Sequence, residues 1–189
     1  MAIDKTIFST KWVSIKETPR KFYYLERKGK DSVAIFLVRS TKGNGTKGNS
    51  AKETPFNQLE VLVRFQPLCI DNPTLDDEMR LHPCPVTGGM EEGENPLKCA
   101  VRETLEETGY RLETLLPLGQ YITGTQSNEI VYLFWADVTG IEPEVATQDG
   151  SVFEAVSRNE WKAIAFLKDC QYSGCLIGYL KLAEILNLS

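Results

Sequence analysis

The chain has 189 residues, is 42% hydrophobic and 25% charged, and carries Lys+Arg 21 against Asp+Glu 26 for a formal charge of -5. That composition is ordinary for a globular protein and long enough to close one substantial core without disulfides. The acidic balance excludes a dedicated binder of nucleic acid polymers, which needs a basic face; no run approaches the ~20 apolar residues of a bilayer span, and MAIDKTIFSTKW lacks a signal peptide's apolar core, so the expected location is cytoplasmic with no membrane partner.

Taken in chain order, residues 11–17 (KWVSIKE) and 21–27 (KFYYLER) alternate aromatic or β-branched with polar residues around Thr18-Pro19-Arg20. This predicts an antiparallel hairpin and a small β appendage over residues 1–30. Ser32 to Arg39 (SVAIFLVR) and Gln58 to Phe65 (QLEVLVRF) predict two further strands, the first apolar enough to be buried on both faces. Residues 41–57 between them, rich in Gly, Lys, Asn and Thr, predict a flexible hairpin loop. That loop contains G-x-G-x-x-G at Gly43-Asn44-Gly45-Thr46-Lys47-Gly48. A dinucleotide-binding loop must open a helix whose amides meet the pyrophosphate, whereas here Pro55 and then a strand follow, so the context fails.

Beyond Pro67 an irregular stretch runs through Pro73, Pro83 and Pro85, and a helix is predicted from Pro96 to Thr108. Asn95 can cap it, Pro96 suits its first turn, and Gly109 supplies a left-handed stop. Leu97, Ala100, Val101, Thr104, Leu105 and Thr108 form its apolar or small stripe. Ile130 to Val138 and Val152 to Val156 predict strands; 159–168 and 175–188 predict helices. With no repeat and no long linker, the order describes mixed α/β (α+β) architecture. The cysteines Cys69, Cys84, Cys99, Cys170 and Cys175 form no CxxC pair and are expected to be reduced. The single histidine, His82, excludes His-rich zinc sites, so any metal should be held by oxygen.

On the predicted helix, Glu103, Glu106 and Glu107 stand at i, i+3 and i+4, projecting from one face away from the apolar stripe. Like charges at this spacing cost about 0.2–0.5 kcal/mol per pair. A hard cation such as Mg²⁺ or Mn²⁺ would convert the repulsion into coordination, while a solvated helix face is the plain alternative. The segment in front of the helix decides between them. Residues 87–110, TGGMEEGENPLKCAVRETLEETGY, place Gly88, Glu94, Arg102, Glu103, Glu106, Glu107 and Gly109 in the pattern G-x5-E-x7-R-E-U-x-E-E-x-G-U, with Thr104 at a position usually bulky and apolar.

This segment resembles the Nudix box. The resemblance implies an α/β/α sandwich with a mixed sheet, here a Nudix hydrolase domain over 31–189 behind the appendage. It implies that Glu103, Glu106, Glu107 and the Thr87 carbonyl hold Mg²⁺ (or Mn²⁺), that Arg102 holds the catalytic carboxylates in place by charge-assisted hydrogen bonds while Glu94 helps fix the loop to the helix, and that Gly88 and Gly89 let the backbone approach a phosphate. The implied reaction is hydrolysis of a nucleoside diphosphate linked to a group X, giving a nucleoside monophosphate and X-phosphate.

Outside the box the chain is similar to the ADP-ribose (ADP-sugar) pyrophosphatase branch. By that likeness the partner is a small nucleoside diphosphate sugar, Trp12 of the first strand stacks on the base or else anchors the hairpin, and the protein is a homodimer built through its N-terminal strands. The segment VLVRFQP puts Gln66 where the branch has a diphosphate-clasping arginine, a task that would pass to Arg64. Asp149 is the first choice for an additional catalytic carboxylate, with Glu154 and Glu144 behind it. Val86-Thr87 before the box and Gly124 after it depart from the branch's prolines and alanine, leaving open a dinucleotide or nucleoside triphosphate as substrate, or a non-catalytic nucleotide-sugar sensor.

Overall fold

A computed structural model describes residues 3–27, 29, 31–41, 50–67, 81–146 and 155–186. The N-terminal hairpin forms as expected and gains a strand: β1 (Lys5–Ser9), β2 (Val13–Glu17) and β3 (Tyr23–Arg27) make an antiparallel three-stranded sheet. All five residues of β1 are exposed, so it had no buried alternation to reveal it in the sequence. β3 leans on the rest of the chain. The Leu25 amide donates to the Gln126 carbonyl at 2.8 Å, Arg27 pairs with Glu129, and the Ser32 hydroxyl donates to the same Glu129 carboxylate at 2.8 Å.

The second sheet is built around β4 (Ser32–Ser40), buried throughout except at Arg39. Its side chains alternate between two cores, with Val33, Ile35 and Leu37 on one face and Ala34, Phe36 and Val38 on the other. That is why the strand reads as a continuous apolar run. β5 (Leu59–Pro67), β6 (Leu81–Cys84), β7 (Val86–Gly89), β8 (Leu116–Ile122), β9 (Ile130–Asp137) and β10 (Arg158–Ala163) complete it, with the order β10-β5-β4-β9-β8. β4 and β9 are parallel and the remaining pairs antiparallel.

One edge of β4 is shared. Val38–Ser40 pair with β5 and Ser32–Ile35 pair with β7, so β5 parts from β4 beyond Val61 and takes β6 as its neighbour, with Arg64 opposite Cys84. The functional residues gather at this parting.

Two layers of helix close the sandwich. α1 (Pro96–Thr108) brings Cys99 and Ala100 onto Val33, Ile35, Leu37, Val86 and Phe134. On the other face α2 (Ser173–Ile185) and the 3-10 segment Ile164–Asp169 pack Ile164, Leu167, Cys175 and Leu182 against Phe36, Val38, Val61 and Val63. A Cβ at Gly178 would stand 2.0 Å from the Phe36 ring, so only glycine admits α2 this close. The expected α/β/α sandwich with a mixed sheet and a small N-terminal sheet is therefore what forms.

Four sequence expectations need correction. The stretch 159–168, expected as a helix, is strand β10 followed by a 3-10 segment, because the ladder with β5 and the burial of Trp161 outweigh local helix preference. The "flexible" loop is packed in its described part: Ser50–Gln58 carries two 3-10 turns, and Ala51 is fully buried with its amide donating to Asp137 Oδ2 at 2.6 Å. Residues 42–49 of that loop, with the G-x-G-x-x-G run, lie outside the described residues, as do 152–154 of the expected strand 152–156; Ala155 and Val156 are helical. The irregular stretch after Pro67 also hides β6 and β7, whose Pro83 and glycines weakened any strand signal. Cys84, Cys99, Cys170 and Cys175 are free thiols, and His82 is a buried core residue. No helix among the described residues is long and apolar enough to cross a membrane.

Candidate active site

α1 begins and ends as its sequence dictates. Asn95 Oδ1 accepts the Leu97 amide at 2.9 Å, Pro96 occupies the first turn, and Gly109 takes φ 76° while its amide closes on Leu105. The unusual Thr104 is wholly buried; its hydroxyl donates to the Ala100 carbonyl at 2.7 Å, so the helix itself satisfies the polar atom. Tyr110, just past the helix, packs edge-on to Trp161 at 6.4 Å.

With the apolar stripe committed to the sheet, the charged face meets β7 and the loop before the helix. Arg102 is its hub. Its Nη1 donates to Glu103 Oε1 at 2.7 Å and to Glu106 Oε2 at 3.0 Å, while Nε and Nη2 grip Glu94 at 3.2 and 3.0 Å and Nη2 reaches the Gly89 carbonyl at 3.4 Å. Glu94 also accepts the Glu91 amide at 3.0 Å, which ties the loop to the helix. The Arg102 guanidinium holds the Glu94 carboxyl below its ordinary range, and this network in turn pushes Arg102 further up. Glu103 goes the other way: burial pushes it up to about 7, with Arg102 pulling it down. The reason is its seat against β7, where a Cβ at Gly88 would lie 2.0 Å from Glu103 Cδ.

Glu107 belongs to a different partner. Arg64, expected to face substrate, is instead buried beneath the end of α1, with Nε 3.3 Å from Glu107 Oε1 and 3.1 Å from Gln66 Oε1. Its Nη1 is 3.5 Å from the Glu107 carbonyl, which also accepts Asn159 Nδ2 at 2.7 Å. Gln66 extends this line to the Thr87 hydroxyl at 3.4 Å. The structure thus brings Thr87, Gly88, Gly89, Glu94, Arg102, Glu103 and Glu106 together through Arg102 and β7, and Glu107, Arg64 and Gln66 through β5.

Trp12 lies in the turn between β1 and β2 rather than within a strand, and at 67% exposure it is no hairpin anchor; Lys11 Nζ sits 4.7 Å above its ring. Asp149 and Glu154 fall outside the described residues, and Glu144 is paired on the surface with Arg111 at 2.8 Å. Asn159 is the residue that sequence reasoning missed. The signal was the alternation of Asn159 and Trp161 against Glu160 and Lys162, which a helical spacing of apolar residues masked.

The donor set is carboxylate and carbonyl oxygen, which suits a hard divalent cation. Gly88 leaves the space that lets Glu103 and the β7 backbone meet. Among the described residues no three His, Cys, Asp or Glu side chains already converge as a closed site; Arg102 and Arg64 divide the three carboxylates between them.

No curated protein sequence matches the chain. A solved structure described as an ADP compounds hydrolase is similar in fold, with a TM-score of 0.61 and 12% identity over 98% of this chain and 92% of that one. The profile of the NUDIX domain matches residues 61–169, well over half of the chain and inclusive of the whole Arg102 network and Arg64. The chain belongs to the NUDIX domain family.

Proposed function

We propose that the protein is a Mg²⁺-dependent pyrophosphatase, with Mn²⁺ able to substitute, that hydrolyses ADP-ribose or a related nucleoside diphosphate sugar to a nucleoside monophosphate and a sugar phosphate. The observation that carries this reading is the Arg102-centred carboxylate set seated on Gly88. Family membership supports the hydrolytic class, and the fold shared with a protein described as an ADP compounds hydrolase supports the substrate class.

Glu103, Glu106 and Glu107, with the Thr87 carbonyl, are the proposed metal ligands. A divalent cation bound there would neutralise diphosphate charge and lower the pKa of a water molecule. Arg102 keeps Glu103 and Glu106 from repelling each other and fixes their direction. Gly88 and Gly89 leave the backbone open to the anionic ligand, and Gln66, beside Thr87, takes its place at the diphosphate. Trp12 offers an exposed ring for the base, and Asp149 is the proposed additional carboxylate. The N-terminal strands present Ile7, Phe8, Ile15 and Leu25 to solvent, which supports a homodimer closed over that face.

A panel of ADP-ribose, other nucleotide sugars, dinucleotides and nucleoside triphosphates, assayed for released monophosphate with and without Mg²⁺, tests the reading. Glu106→Gln should lower turnover by at least ~100-fold in a folded protein. Near-normal turnover in that variant would sink the metal assignment, and binding of ADP-ribose without hydrolysis would make the protein a sensor.

A further inference from the structure

We infer that Asn159 and Arg64 are positioning residues for Glu107: side by side on neighbouring strands, they grip both its carbonyl and its carboxylate, and so set the end of α1 that presents this proposed metal ligand. The inference rests on the metal-dependent reading above.

The grip follows from the ladder between β5 and β10. Trp161 stands opposite Leu62 and Asn159 opposite Arg64. Leu62 and Trp161 pack into the core beneath α1. Side chains two residues further along a strand return to the same face, so Arg64 and Asn159 emerge beneath the helix where the apolar packing stops. An α-helix that stops leaves the carbonyls of its last turn open to partners from outside the helix. Glu107 lies in that turn, and its carbonyl receives Asn159 Nδ2 at 2.7 Å and Arg64 Nη1 at 3.5 Å.

Arg64 also lies 3.3 Å from the Glu107 carboxylate, so one residue of the helix is held at its backbone and at its side chain together. Arg64 is in turn fixed by Gln66 Oε1, and its own carbonyl accepts the Cys84 thiol at 3.3 Å. A ligand held by two strands has its axial height and rotamer decided before any cation arrives. This is the kind of outer support whose loss lowers metal affinity or activity by roughly 10–100-fold.

Asn159 makes the cleaner test, because it is exposed and uncharged: replacing it leaves the core and the site's charge alone, whereas replacing Arg64 changes both. Metal-free wild type, Asn159→Leu and Asn159→Ala are titrated with Mn²⁺ and the free ion followed by electron paramagnetic resonance. Leucine keeps the volume and lacks the donor; alanine covers the case in which leucine misfolds. We expect the Mn²⁺ dissociation constant to rise roughly 10–100-fold, kcat to fall with it, and KM for ADP-ribose at saturating Mn²⁺ to stay unchanged. Wild-type Mn²⁺ affinity in both variants would overturn the inference, and so would a change confined to KM, which would move Asn159 to the substrate. A wild type that takes up no Mn²⁺ would overturn the metal reading itself, and the inference with it.

Discussion

Adding one methyl group at Gly88 should separate activity from stability. Gly88 lies in β7 opposite Val33, and its backbone is not in the left-handed region, so alanine is tolerated there conformationally. The new Cβ would instead lie 2.0 Å from Glu103 Cδ, 2.1 Å from Cγ and 2.3 Å from Oε1. Carbon atoms rest at about 3.5–4.0 Å, so the carboxylate must retreat by roughly 1.5 Å. The obstructing atoms are the end of a flexible side chain, which keeps the stability loss near ~1 kcal/mol, the low end for overpacking.

The retreat breaks the 2.7 Å bond to Arg102 and displaces a proposed metal ligand. Misplacement by about 1 Å costs on the order of 100-fold in rate. Gly88→Ala should therefore lose at least that in kcat, with a weaker response to Mg²⁺ and a melting curve close to wild type. Full turnover would refute the placement of Glu103 at the reacting centre. A collapse in stability of several kcal/mol would refute the reasoning in another way, by showing that Gly88 serves packing of the strand and not the carboxylate.

Glu103 should leave a mark on the pH dependence of the metal-free protein. Its folded pKa of about 7 lies above the unfolded value of 4.5, so its protonation contributes stability that is full below 4.5 and lost as pH rises through 7. Relative to Glu103→Gln, the wild type should thus lose melting temperature between pH 5 and pH 8, and added Mg²⁺ should flatten the difference; parallel melting curves would contradict this. Gly109→Ala should be far more damaging to stability than Gly88→Ala, by about 2–4 kcal/mol in denaturant melts, because φ is 76° and a Cβ would lie 2.0 Å from the rigid Glu144 carbonyl. Thr104→Val, which removes a hydroxyl already turned back on its own helix, should change stability by under ~1 kcal/mol and leave kcat unaltered. Trp12→Ala should raise KM for ADP-ribose several-fold with kcat unchanged, the signature of base stacking; an unchanged KM would leave this exposed ring to the dimer face.

Much of the site was legible because its logic is local. Asn95, Pro96 and Gly109 bound a helix by rules that act within a turn, and the i, i+3, i+4 spacing of Glu103, Glu106 and Glu107 places their carboxylates on one face in any α-helix. The continuous apolar run of β4 likewise announced a strand buried on both sides. The missed strands fail for the same reason. β1 is wholly exposed, β6 carries Pro83, and β10 has apolar residues at a spacing that also fits a helix, so each owes its extended state to a partner strand.

What the chain's own order of residues determined is the family's carboxylate helix, the glycine loop before it and the three-layer class of fold. Tertiary structure alone decided that Glu107 meets Arg64 and not Arg102. Arg102 reaches Glu94, Glu103 and Glu106 from the same helix and loop, a pairing that short spacing allows one to foresee. Arg64 and Asn159 reach Glu107 only because β5 leaves β4 beyond Val61 and β10 pairs alongside it in one register; a slip of β10 by a single residue would turn Asn159 to the opposite face.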